Sequence, residues 1–182
     1  KKMVERLKGH KTGGAAVRDL VELTGSVCLA ASFDDRYPDY PKFAVKLHAG
    51  NLKPPAEDVL RWLAGGVKNN VATAVLDGLE LLDGDKLKPH LSRYAKVVLE
   101  KLEAKPPGQV VNRKELITTR NDVERESRYQ LEPELLFVVL ASLVQHGNIT
   151  LSVAGNKFDA ANLGEAPKTP LDQLVGFKHV ER

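Results

Sequence analysis

Nucleotide phosphates are gripped by a glycine-rich loop that carries a lysine and a hydroxyl, in the pattern GxxxxGK[ST]. The nearest stretch here is GHKTGG, Gly9 to Gly14. It offers Lys11 and Thr12, but His10 stands where a glycine is needed. The glycine expected five positions earlier falls at Glu5. No strand signal precedes the stretch, so it reads as a flexible lead-in. The five histidines, His10, His48, His90, His146 and His179, lack the i,i+4 spacing or the neighbouring His or Cys that metal sites use. His146 closes an apolar helix, where a cation suits the helix dipole. Asp83-Gly84-Asp85 lacks the remaining ligands of a calcium loop and reads as a turn. Asp34, Asp35 and Asp39 read as a solvated loop. The single cysteine, Cys28, sits in SVCLAAS as a small hydrophobe and excludes an internal disulfide. No serine, histidine and acid arrangement is recoverable. The sequence therefore gives no catalytic, cofactor-binding or metal-ligating residue.

Phosphate backbone contacts need exposed cations. The stretch from Asn112 to Gln130 carries Arg113, Lys114, Arg120, Arg125 and Arg128, mixed with Glu115, Asp122, Glu124 and Glu126. Such a mix is usually a solvated face with internal pairs. Lys157 stands beside Asn156 in a hairpin further on. The candidate DNA backbone contacts are Arg113, Lys114, Arg120 and Lys157.

The elements that position these residues follow from periodicity and punctuation. Val17, Leu20, Val21, Val27 and Cys28 give helical spacing over 15–29. FDDRYPDYP, Phe33 to Pro41, is expected as a loop, and FAVKL, Phe43 to Leu47, as one short strand. Pro55 begins a helix that Gly65-Gly66 stop. A second helix is expected over 67–82, with Val67, Val71, Val75, Leu79 and Leu82 on one stripe. Ser92 caps a third, running through Glu103. KPPG, Lys105 to Gly108, is the best internal boundary. After a short strand at QVV, Asn112 and Glu115 form a capping box that opens a helix running into TTRNDVERESRYQ. Pro133 starts the apolar helix ELLFVVLASLVQ, and Gly147 ends it. ITLSV then places Ile149, Leu151 and Val153 inward, and Gly155-Asn156 is the turn of a hairpin near 149–160. ANLGEAPK reads as loop, and Thr169 as the cap of a last short helix.

This order describes a mainly α chain with a small β-hairpin. A helical subdomain spans 1–104, with 55–104 a candidate diverged winged helix. A winged helix–turn–helix-like domain spans 105–182. In a DNA reader, the helix before the wing enters the major groove and presents Arg, Lys, Asn or Gln near its start. Here it presents Glu132, Glu134, Leu135, Leu136 and Phe137, apolar on nearly all sides and acidic at its start. That favours burial over reading.

The bulk numbers agree with a packed domain. The 182 residues are 42% hydrophobic and 28% charged, which is globular rather than disordered. Aromatics are 5%, so Leu, Val and Ala must fill the core. The net charge of +3 does not demand a nucleic acid or an anionic membrane. The longest apolar run, Leu135 to Leu143 with Ser142 interrupting it, is too short to span a bilayer. The chain opens without Met and shows no signal peptide, so it is expected to be a piece of a longer cytoplasmic protein.

Five stretches together carry a resemblance: RYPDYPKF (36–43), VLRWLAGG (59–66), ATAVLDGLELLDGDKLKP (72–89), SRYAKVVLEKL (92–102) and PPGQVVNRKELI (106–117). They resemble the region that follows the ATPase core in large bacterial phage-defence proteins, the PglY/BrxC-like ATPases of Pgl and BREX loci. The resemblance implies a non-catalytic module serving assembly, motor regulation or weak contact with double-stranded DNA. It places ATP and magnesium elsewhere in the full-length protein. Its partners would be other domains of that ATPase and other phage-defence proteins. The alternative is a stand-alone winged-helix transcription regulator, which needs a basic recognition surface. An enzyme of another type has no supporting constellation.

Overall fold

The computed structural model describes residues 17–47 and 50–182, and their chain contacts fall into two units, Lys1–Tyr40 and Pro41–Arg182. GHKTGG, the Cys28 side chain and His48 lie outside what is described. The structure is 46% helical and 16% strand, so it mixes α-helix with small antiparallel sheets.

In the first unit, α1 runs over Val17–Arg36. It takes in the first four residues of the expected loop. Pro38 sets the limit, because the residue before a proline is pushed out of the α region. Phe33 then holds the exit, with its ring 5.1 Å from that of Tyr37 and 5.2 Å from that of Tyr40.

The second unit begins with residues 41–47, which form bends rather than the expected strand. Phe43 lies against Gly78 instead. A Cβ on Gly78 would stand 2.5 Å from the Phe43 ring and 2.9 Å from the Lys42 carbonyl, so only glycine permits the approach. Helix α2, Lys53–Leu63, has proline in its first turn and buries Ala56, Val59, Leu60 and Leu63. Helix α3, Asn70–Gly78, is shorter than the 67–82 span that its apolar stripe predicts. The Asn69 carboxamide accepts the Ala72 N–H at 2.7 Å and so takes the cap. Val67 is left outside and 92% exposed, and Leu82 enters a strand instead. Strands β1 (Leu82–Asp83) and β2 (Lys86–Leu87) turn around Gly84-Asp85. A 3₁₀ turn, Pro89–Leu91, leads to α4, Arg93–Glu103. Ser92 caps α4 as expected. Its Oγ accepts from Tyr94 and Ala95 and donates to the Leu79 carbonyl at 2.7 Å, tying α4 to the end of α3.

Strand β3 is Val111–Asn112, and the capping box over Asn112 and Glu115 is present. It opens only one turn of helix, α5, Arg113–Leu116. The charged segment beyond is not helical. It forms a hairpin of β4 (Ile117–Arg120) and β5 (Val123–Glu126) in which Thr118 faces Arg125 and Thr119 faces Glu124. Consecutive β-branched Ile117, Thr118 and Thr119 favour strand, and Asn121 and Asp122 accept positive φ of 50° and 60°, as a two-residue hairpin turn demands.

Helix α6, Pro133–Gln145, is the centre of the unit. All ten residues from Leu135 to Val144 are buried. Helices α2 and α4 pack on it from before KPPG, and β5 packs from after it, together with strand β6, Thr150–Val153. Ile149, Leu151 and Val153 are buried, as the alternation predicts. The turn to β7, Asn156–Phe158, lies one residue earlier than expected. Val153 pairs with Asn156, and Ala154 and Gly155 take φ of 47° and 87°. The expected loop ANLGEAPK contains a 3₁₀ helix, Leu163–Lys168. The last helix, α7, spans Leu171–Leu174; Pro170 occupies its cap position, with no side-chain cap bond, so Thr169 is not the cap. Strand β8, His179–Glu181, was not foreseen. It lies between β3 and β6, giving the sheet order β3-β8-β6-β7 with all pairs antiparallel.

Candidate nucleic-acid interface

The four candidate cations stand in unlike surroundings. Arg113 opens α5, and its guanidinium is committed inward. Nη1 and Nη2 donate to the two Glu124 oxygens at 2.8 and 2.6 Å, and Nε donates to the Val175 carbonyl at 2.9 Å. The group also sits 5.9 Å from the centre of the Phe177 ring. This fork-to-fork pair holds the Glu124 carboxyl below its ordinary value against some opposing burial, and makes Arg113 still harder to deprotonate. Arg113 therefore fastens the hairpin and the C-terminal turn to α5.

Lys114 and Arg120 are exposed and have no ion-pair partner among the described residues. Lys114 is on the outer side of the α5 turn, and Arg120 closes β4 beside the hairpin tip. Lys157, on β7, pairs with Glu181 of β8 at 2.5 Å. The remaining cations of the charged segment are also paired: Arg125 with Glu132 at 3.4 Å and Arg128 with Glu100 at 3.2 Å. Lys178, which the sequence did not single out, is exposed. Its carbonyl accepts the Arg113 N–H at 3.0 Å, which places it next to the α5 turn.

Two carboxylates organise this region. Glu115 accepts from the Lys105 ammonium at 2.6 Å and from the Asn112 backbone at 2.9 Å. The Lys105 hydrogen bond, then those from Asn112, bring its pKa down to about 2. Glu126 is 2% exposed, and its oxygens accept from the Arg128 N–H at 2.8 Å, the Tyr129 N–H at 2.6 Å and the Ser127 hydroxyl at 3.2 Å. It shapes the loop between β5 and α6. Nothing in the charge pattern marked it out from its neighbours.

The start of α6 carries Glu132 and Glu134, both half-buried, and then ten buried residues, all apolar but Ser142. The helix has no free face to lay in a groove. Among the described residues, no group of three or more His, Cys, Asp and Glu side chains could hold a metal ion. Asp34 and Asp35 lie in the last turns of α1. A surface cleft of about 320 Å³ lies between α2, at Glu57, Leu60 and Arg61, and the segment Pro167–Leu171. None of the candidate cations lines it. No helix among the described residues is long and apolar enough to cross a membrane.

Fold and site together define a small α-plus-β domain built around one buried helix, with two of the candidate cations, Lys114 and Arg120, unpaired among the described residues, on a one-turn helix and beside a hairpin tip. The chain belongs to the family of unknown function DUF6079, 4th domain, which matches residues 52–182. No curated protein and no solved structure matches the chain.

Proposed function

We propose that this chain is a non-catalytic, winged-helix-like module of a larger P-loop ATPase of the phage-defence type, serving assembly or motor regulation with weak contact to double-stranded DNA. The observation that carries the reading is the complete burial of Leu135 to Val144 in the helix that a DNA reader would expose. Such a helix serves as scaffold, and work falls to the surfaces around it. The order α4, β3, α5, α6, then the β6–β7 hairpin, supports winged-helix ancestry. The β4–β5 hairpin between α5 and α6, and β8 within the sheet, are departures from that pattern. The family description, a fourth domain, supports a place within a longer protein. The stretches that resemble PglY/BrxC-like proteins supply the ATPase link, with other domains of that protein and other defence proteins as partners.

Weak DNA contact follows from the cation count. Lys114, Arg120 and the neighbouring Lys178, with Lys157 if it leaves Glu181, give three or four phosphate contacts, and so a slope of log K against log salt of about −3 to −4. Anisotropy titration with a double-stranded oligonucleotide at low and physiological salt tests this. Binding that is weak and lost at physiological salt is expected. Tight binding with a slope of about −6 or steeper overturns the module reading in favour of a stand-alone regulator. The ATPase link falls if the full-length protein lacks GxxxxGK[ST]. Nucleotide hydrolysis by these 182 residues refutes the non-catalytic assignment.

A further inference from the structure

The fold joins two histidines that the sequence keeps far apart. His90 lies in the 3₁₀ turn Pro89–Leu91, and His146 is the cap residue that ends α6. Both are exposed, their ring centres are 5.5 Å apart, and the rings are tilted by 50°. Both backbones are fixed. Pro89 is buried, the Leu91 and Ser92 N–H groups bond to the Lys88 and Pro89 carbonyls at 3.1 Å, and the His146 N–H bonds to the Ser142 carbonyl at 3.1 Å.

We propose that His90 and His146 form a two-imidazole surface site for a divalent transition-metal ion. The centre-to-centre separation of 5.5 Å is close to that of two ligands on one ion. An imidazole nitrogen binds at about 2.0–2.1 Å and its ring centre lies roughly 1.1 Å further out, so two rings on a tetrahedral ion have centres about 5 Å apart. The second observation concerns the tautomer. His146 Nδ1 is 3.0 Å from the Asn148 side-chain oxygen, which can only accept. In the neutral tautomer with the hydrogen on Nδ1, this contact is a hydrogen bond and Nε2 keeps its lone pair for a ligand. Metal-binding histidines are held in this way, with the far nitrogen donating to an oxygen. Imidazole ligands select Zn²⁺, Ni²⁺ or Cu²⁺ over Mg²⁺ and Ca²⁺. Two protein ligands leave the remaining positions to water or to a donor from a bound macromolecule. The site sits where the 3₁₀ turn meets the end of α6, so a bound ion pins the start of α4 to the central helix.

Calorimetric titration of NiCl₂ and ZnCl₂ into the 182-residue chain tests the site. One ion per chain is expected at this site, with affinity reduced at least tenfold in His90→Ala and in His146→Ala. Asn148→Ala should weaken binding by a smaller factor, because the tautomer is then free. MgCl₂ should not compete. Long-range ¹H–¹⁵N spectra should show the Nε2 signal of His146 moving on addition of Zn²⁺. Both rings are exposed, so the variants should keep the wild-type circular dichroism, and that measurement is part of the test. Wild-type affinity in a folded His90→Ala variant, or an unmoved His146 signal, overturns the proposal and leaves two rings that merely touch.

Discussion

Arg113 and Glu124 meet fork to fork, Nη1 donating to Oε1 at 2.8 Å and Nη2 to Oε2 at 2.6 Å. The contact joins the one-turn helix to the hairpin strand. A half-buried bidentate pair with a third bond to a backbone carbonyl exceeds an ordinary surface ion pair. Arg113→Ala should therefore lower stability by about 1–2 kcal/mol. A double-mutant cycle with Glu124→Ala, read by urea denaturation, should return a coupling of about 1 kcal/mol. Additive single effects would show that the two side chains act separately.

Acid should loosen the same region through Glu115. Its pKa is about 2, below the ordinary 4.5, because the Lys105 and Asn112 hydrogen bonds favour the carboxylate. A depressed carboxyl contributes stability above its unfolded value and loses it as the pH falls toward the folded one. The loss should run from about pH 4.5 down to about pH 2. Urea midpoints at a series of pH values should fall across that window in the wild type. Glu115→Gln should fall less.

Glu126 is a buried carboxylate whose partners are two backbone N–H groups and a hydroxyl rather than a cation. Removing it strands donors that are already desolvated. Glu126→Ala should cost about 2–3 kcal/mol. Hydrogen exchange should show the loss as faster exchange at Arg128 and Tyr129, before any change in α6.

Gly78 admits Phe43 and the Lys42 carbonyl at a distance that no side chain permits. Gly78→Ala should cost about 1–3 kcal/mol through overpacking. The segment 41–47 should then detach, and trypsin should cut at Lys42 and Lys46 faster than in the wild type. Unchanged cleavage would show that the segment is held by other contacts.

The long helices were legible because their signals are local. Prolines open α2 and α6, Ser92 caps α4, and the apolar spacing marks what faces inward. The burial of α6, which removes the obvious DNA-reading surface, followed from its composition alone. The hairpin 117–126 was misread as helix because neither face is apolar along its length, so no period-2 pattern stood out. Asn121-Asp122 between two extended runs was the signal that could have found it. Strand β8 had no local signal at all. Three residues become a strand only because β3 and β6 flank them. The commitment of Arg113 to Glu124, like the meeting of His90 and His146, depends on the same tertiary placement.

The sheet order carries a consequence for synthesis. A ribosome delivers β3 and β6 long before it delivers residues 179–181, yet those residues form the strand between them. Until then, Val111 and Leu151 have no neighbour to pair with across Val180. The inner edges of both strands stay open to other chains. The second unit should reach its final state only after translation has passed its last strand. A chain halted at Lys178 would keep every long helix and still lack the piece that closes the sheet.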